Sequence, residues 1–249
     1  MGVKERLDKY LATRQNLTRS QAREIIRRGG SAVNGRPVRD PGTQVDPEND
    51  AVTLHGAPVG GGAFSYLMLH KPAGYVSATE DAGPTVLELV PPELRRKGQF
   101  PAGRLDKDTE GFVLITDDGA FAHRILAPRS HLPKTYYVEL DGPVGEEDVR
   151  AFAEGMTLGG QRLHPALLTV LGPADHAEVV LTQGLYHQIK RMFQARGRKV
   201  VYLKRTKIGG LALDPALPKG GCRALTQEEL ALLRAEKQPA AQNSGENAP

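Results

Sequence analysis

Apolar residues near the start of the chain recur at helical spacing, and further on they gather into short runs of strand length. Over residues 4–13, Leu7, Tyr10 and Leu11 share one helical face. A second helix opens at Thr18, where Gln21 three residues on completes a capping box. Its apolar side is Ala22, Ile25 and Ile26, and Gly29 ends it. Ser31–Val33, the Asn34-Gly35 pair and Val38 predict a small hairpin, and Ala51–Leu54 a further strand. Gly56–Gly62 (GAPVGGG) has the composition of a flexible linker.

Beyond the linker the pattern becomes strand-rich. Tyr66–Leu69 reads as a strand, left through the turn His70-Lys71-Pro72-Ala73-Gly74-Tyr75. Thr85–Leu89 starts a short helix stopped by Pro91-Pro92, and Leu94–Gln99 is a charged loop. Phe112–Ile115 has the length of a buried strand, bounded by Gly111 and Gly119. Ala120–Leu126 is a short helix, with Phe121 and Ile125 inward and Pro128 ending it. Lys134–Val138 alternates as a strand, Glu146–Glu154 is an amphipathic helix, and strands follow at Ala166–Leu171 and Ala177–Thr182. A helix is expected over Tyr186–Ala195, with Ile189, Met192 and Phe193 apolar, then a basic sheet edge through Val200–Leu203 to Gly210. Thr226, with Glu229 as its box partner, caps a last helix, and Gln238–Pro249 reads as a disordered tail.

The totals narrow the class. With 249 residues, 39% hydrophobic and 25% charged, the chain has the composition of a soluble globular protein with room for a second, small domain. No apolar run approaches the ~20 residues that span a bilayer, and the charged start MGVKERLDKY is not a secretory signal. The expected location is the cytoplasm. Cys222 is the only cysteine, which excludes an intramolecular disulfide and a multi-cysteine metal site. The net charge of +4 is unevenly spread: residues 1–39 carry +7, leaving −3 for the remainder. Tyr186–Lys207 holds eight basic residues and no acid. Two basic patches on a nearly neutral chain point to an extended polyanion. Arg19, Arg23, Arg27 and Arg28 project from the second helix, where arginines meet phosphates and supply affinity rather than sequence discrimination.

The chemistry concentrates in Pro101–Gly119, PAGRLDKDTEGFVLITDDG. Asp106 and Asp108 stand beside Arg104 and Lys107 on a loop that a core strand holds, and Asp117 and Asp118 follow that strand. Two readings stand on local chemistry alone. Aspartates before a strand serve turns by bonding their own backbone, and a carboxylate flanked by fixed cations can act as nucleophile or base. A metal-dependent phosphodiesterase built on all four aspartates is disfavoured, because about ten residues of strand would separate the pairs by ~30 Å. No phosphate-binding glycine loop and no Cys/His cluster is present.

The nine residues Gly103–Gly111, G-R-L-D-x-D-T-x-G, resemble the signature of the pseudouridine synthases that modify ribosomal RNA. The rest of the chain agrees in order: Lys71-Pro72-Ala73-Gly74, then Lys134-Thr135-Tyr136-Tyr137-Val138, then His187-Gln188-Ile189-Lys190-Arg191-Met192. Residues 4–55 resemble the S4 RNA-binding domain. The resemblance is nearest to the small-subunit, RsuA-type branch, with Ala127-Pro128-Arg129 departing from its usual Ser-Pro-Arg. It implies an α+β fold: a small S4 domain at 1–58, a linker at 59–63, a catalytic domain at 64–237 with a mixed, largely antiparallel sheet, and a tail at 238–249. It implies that Asp106 is the catalytic carboxylate, that Tyr136 lies against the target base and that Lys190 pairs with Asp106. Arg104, Arg129 and Arg191 join the helix arginines as RNA contacts. The reaction needs no cofactor or metal. The expected partner of this monomer is ribosomal RNA, with uridine-516 of the small subunit as target. A large-subunit synthase and a non-catalytic S4-type assembly factor are the alternatives.

Overall fold

The structure is a computed structural model describing residues 4–15, 17–47, 50–59, 64–127 and 132–234. It divides into two compact units, 1–64 and 65–249. Arg129, linker residues 60–63 and the tail 238–249 lie outside the described residues.

In the first unit a two-residue strand β1 (Glu5–Arg6) precedes helix α1 (Leu7–Arg14), so the helix starts three residues later than its periodicity predicts. Helix α2 (Arg19–Arg27) carries the expected capping box between Thr18 and Gln21. Strands β2 (Ser31–Val33) and β3 (Arg36–Val38) form the hairpin, with Asn34 and Gly35 both at positive φ, as a type I′ turn requires. Strand β4 (Gln44–Val45) pairs with β1, and β5 (Val52–Leu54) with β2. The segment read as linker begins instead with strand β6 (Ala57–Val59), paired antiparallel to β5 and extending the sheet to the order β3-β2-β5-β6. Val59 is buried, and the Tyr10 hydroxyl donates to its carbonyl at 3.1 Å. Gly60–Gly62 lie outside the described residues, and Val59 has a core to enter.

Asp8 is the polar centre of this unit. Its side chain is fully buried and accepts hydrogen bonds from Arg6 (3.2 Å), Arg19 (3.2 Å) and Arg23 (2.8 Å). Burial alone would raise the carboxyl pKa, and the three guanidinium groups outweigh it, holding Asp8 far below the usual carboxylate range.

The second unit is built on one mixed sheet. Its elements are β7 (Tyr66–Lys71), β8 (Phe100–Ala102), β9 (Glu110–Thr116), α3 (Gly119–Leu126), β10 (Lys134–Leu140), α4 (Glu146–Glu154), β11 (Thr157–Leu158), β12 (Gln161–Arg162), β13 (Leu167–Val170), β14 (His176–Leu181), α5 (Gln188–Ala195), β15 (Val200–Ile208), β16 (Leu211–Ala212), β17 (Cys222–Ala224) and α6 (Gln227–Arg234). The strand order is β13-β14-β10-β15-β9-β7-β17, with β16 on β15 and β8 on β9. Among the pairings of these strands only β15–β9 is parallel. Strands β7 and β9 are buried along their whole length, which explains their continuous apolar runs. Phe152, Met192 and Phe193 bring α4 and α5 into the same core as Val113, Ile115, Tyr136 and Val138. Cys222 lies on β17 opposite Leu69, and burial pushes its thiol up to about 11, which disfavours the thiolate at neutral pH.

Gly111 does not bound the central strand but lies inside it. Its φ is +106°, and a Cβ there would come within 2.2 Å of the Arg205 carbonyl oxygen. Only glycine permits β9 to approach β15 this closely. Tyr136, Arg205 and Gly111 are thereby register partners across β10, β15 and β9.

Because Asp8 is held ionised by folding, it stabilises the first unit above the unfolded carboxyl pKa of about 4, and that contribution is lost as the pH falls toward the lower folded value. Asp8→Asn is expected to cost about 2 kcal/mol at neutral pH and to flatten the acid limb of stability. Urea unfolding between pH 7 and pH 2 measures both.

Candidate active site

Residues 103–109 connect β8 to β9 and are held from behind by two buried cations. The Lys71 side chain, at the end of β7, is fully buried. Its ammonium donates to the carbonyls of Thr109 (2.7 Å), Asp106 (3.0 Å), Lys107 (3.1 Å) and Pro72 (3.2 Å). Burial pushes its pKa down to about 8, with Asp108, Asp106 and Glu110 opposing that fall. Arg205, from β15, gives Nε to the Phe112 carbonyl at 2.7 Å and Nη1 to the Arg104 carbonyl at 3.5 Å. The two cations thus bind carbonyls at both ends and along the middle of one loop. The Leu105 amide donates to Ser77 Oγ and the Gly74 amide to the Lys107 carbonyl, tying the loop to the turn after β7.

On this support the Asp106 carboxylate faces outward, about a quarter exposed. Lys190 Nζ lies 3.1 Å from Asp106 Oδ2 and 2.5 Å from Asp108 Oδ1. Burial lowers the Lys190 pKa, and the bonds to Asp108 and Asp106 outweigh it, so the ammonium titrates above the ordinary lysine range. Burial would raise Asp108, and Lys190 pulls it below its ordinary value. His187 Nε2 is 3.6 Å from Asp106 Oδ1. The cavity in front measures about 820 Å³ and is lined by Asp106, Tyr136, Lys190, Arg104, Lys134 and Arg205, among others. Lys134 is pushed down to about 8 by burial and then by Arg205.

The structure therefore brings Asp106, Tyr136 and Lys190 to one cavity, from a loop, a strand and a helix far apart in sequence. Arg104 is exposed at its rim. Arg191 projects instead toward Gly159 in the β11–β12 turn. In the first unit Arg19 and Arg23 bind Asp8, Arg28 pairs with Glu24, and Arg27 is exposed. Helix α5 starts at Gln188 rather than Tyr186: His187 precedes it in the left-handed region (φ 49°, ψ 33°), which directs its ring at Asp106 rather than along the helix.

The Lys-Pro-x-Gly motif already pointed to support of this loop by the segment that carries Lys71; sequence reasoning missed the parts played by Arg205 and His187. Arg205 gave no signal, because it stands among Lys204, Thr206 and Lys207 in a segment that reads as a basic sheet edge. Asp117 and Asp118 have structural work. Asp117 accepts from the Ser65 amide at 2.6 Å, and Asp118 caps α3 through the Phe121 amide and binds the Tyr66 hydroxyl at 2.6 Å. Among the described residues no three His, Cys, Asp or Glu side chains come together as a metal site would need.

Comparison with known proteins follows the same division. The family model for RNA pseudouridylate synthase matches residues 65–195, and that for the S4 domain residues 5–52. The chain is 45% identical to an uncharacterized RNA pseudouridine synthase, YtzG, of Bacillus subtilis, over 92% of this chain and 98% of that protein. It is 44% identical to ribosomal small subunit pseudouridine synthase A of Pasteurella multocida and 42% identical to that of Escherichia coli K12, in each case over 91% of this chain and 98% of the relative. A solved pseudouridylate synthase is 40% identical and superposes with a TM-score of 0.65, covering 92% of this chain and 99% of that one.

Lys71→Met should leave converging carbonyls without a donor, lowering stability by about 3 kcal/mol and kcat about a hundredfold through loop displacement. Thermal melting and turnover at saturating substrate would show both effects. Arg27→Ala should weaken polyanion binding and reduce the slope of log Kd against log salt by about 0.7–0.9, the signature of one lost phosphate contact. A titration of RNA binding over a range of salt concentrations reads that slope.

Proposed function

The chain belongs to the RNA pseudouridylate synthase family, and we propose on that premise that it isomerises a uridine of small-subunit ribosomal RNA to pseudouridine at Asp106. The observation that carries this reading is the Asp106 carboxylate, fixed by its loop, paired with Lys190 at 3.1 Å, and facing a cavity of about 820 Å³ that Tyr136 also lines. Such a cavity has the size of a small-ligand site and can take one extruded nucleoside.

The reaction breaks the bond between ribose C1′ and uracil N1, turns the base and joins C1′ to C5. N1 gains a proton and C5 loses one, so no atom is added and no external oxidant or reductant is required. Asp106 serves as nucleophile toward the nucleoside or as base toward its sugar. Lys190, 3.1 Å from the carboxylate, pairs with it and keeps it oriented. Tyr136, 8% exposed, offers its ring to the base. The S4 domain binds the RNA around the target, and the arginines of α2 supply phosphate affinity. The small-subunit assignment rests on relatives that are 42–44% identical over nearly their whole length, and the specific target proposed is uridine-516.

Asp106→Asn is expected to abolish isomerisation while leaving the affinity for RNA within about threefold, because Asn keeps the shape and loses the charge. Mapping of pseudouridine in ribosomal RNA from cells with the wild-type gene, with Asp106→Asn and without the gene tests activity and target together. A modified uridine that disappears from the small subunit in the latter two supports the reading. A missing modification in the large subunit reassigns the substrate, and an unchanged map leaves an RNA-binding protein only.

A further inference from the structure

Tyr186 is the most exposed large hydrophobic side chain among the described residues, at 77%. It stands at the rim of the Asp106 cavity, in the turn before α5. One face of its ring is covered: it stacks on His187 with centroids 3.8 Å apart and planes 16° from parallel. His187 is itself fixed, by its left-handed backbone and by its approach to Asp106 at 3.6 Å. The ring therefore has a rigid backing and one open face. Exposing that much aromatic surface is unfavourable unless something covers it in use.

The surroundings say what that would be. Arg104, Lys107, Lys134 and Lys190 share the cavity with Tyr186, so the rim favours an anionic chain. An aromatic face within a cationic groove is the arrangement that holds single-stranded nucleic acid, where bases stack on rings and cations follow the backbone. The cavity itself is taken by the nucleoside that meets Asp106 and Tyr136. Tyr186 lines the rim of that cavity and is largely exposed, within reach of the neighbour that loses its stacking partner when one nucleotide is extruded.

We propose that Tyr186, backed by His187, is a stacking platform for the nucleobase adjacent to the target uridine, and so a binding residue of the enzyme. This rests on the function proposed above. The platform replaces the stacking lost when the target leaves the strand, so its contribution falls on formation of the extruded complex rather than on the bond exchange. Phe or Trp can substitute for Tyr because every base offers a π-face, while an aliphatic side chain of similar volume cannot.

The test uses the full-length protein and RNA fragments spanning the modified uridine, with wild type, Tyr186→Ala, Tyr186→Leu and Tyr186→Phe compared by KM, kcat and thermal melting. For Ala and Leu, KM is expected to rise about ten- to hundredfold, with a smaller change in kcat, while Phe stays near wild type. An abasic nucleotide beside the target should raise the wild-type KM by a similar factor and have little further effect on Tyr186→Ala. Unchanged KM in the Ala and Leu variants overturns the proposal. So does a full additional loss in Tyr186→Ala from the abasic substitution on both sides of the target, each tested separately, or a loss confined to kcat, which would place the role in His187 positioning. Absence of isomerisation by the wild-type protein would instead overturn the underlying function.

Discussion

The second unit depends on burying positive charge against carbonyl oxygens. Lys71 and Arg205 are 0% and 2% exposed, and neither contacts a carboxylate among the described residues. A buried ammonium costs several kcal/mol to desolvate, which is why Lys71 titrates near 8. In return, the loop from Arg104 to Phe112 has its carbonyl dipoles turned inward onto fixed donors. A surface loop on its own would hold those carbonyls toward water and move with it. Here the backbone under Asp106 is held by buried donors, and the carboxylate faces a cation already in place.

That arrangement also bears on the choice of lysine opposite the acid. An arginine could hold a carboxylate by two parallel bonds, whereas lysine is a point charge on a flexible stem. At position 190 a second carboxylate, Asp108, shares the ammonium and limits its freedom. Asp106 and Asp108 come from the same clamped loop, so Lys71 and Arg205 fix the separation of the two anions between which Lys190 rests. Geometry that arginine would supply by its own planarity is supplied here by the loop.

Much of this was legible from the residues alone, and the failures have physical causes. The capped helices at Thr18 and Thr226, the Asn34-Gly35 turn and the helix Glu146–Glu154 were readable because their determinants are local. The strand Phe112–Ile115 was found, but Gly111 misled: it breaks strand propensity, yet it sits inside β9 because β15 passes 2.2 Å from where its Cβ would be. That contact is with a residue ninety-four positions away, and no local rule contains it. The helix drawn from Tyr186 ran two residues too far because apolar periodicity cannot see a left-handed residue at its start. Asp106, Tyr136 and Lys190 came from motif resemblance. Their chemistry, one acid, one ring and one cation on three separate segments, leaves no periodic trace.

Lys71 and Asp8 show one device with the signs exchanged. In the second unit a buried cation holds the backbone that presents an anion. In the first unit a buried anion holds three cations, of which Arg19 and Arg23 remain 52% and 42% exposed. A guanidinium has five N–H donors, and Asp8 takes one from Arg19 (Nη2) and one from Arg23 (Nε). Pairing with Asp8 therefore leaves most of their donors free for phosphate while removing the rotamer entropy that a free arginine would lose on binding. The basic balance of the first thirty-nine residues is thus partly a fixed array, oriented by one carboxylate, rather than a diffuse solvated surface.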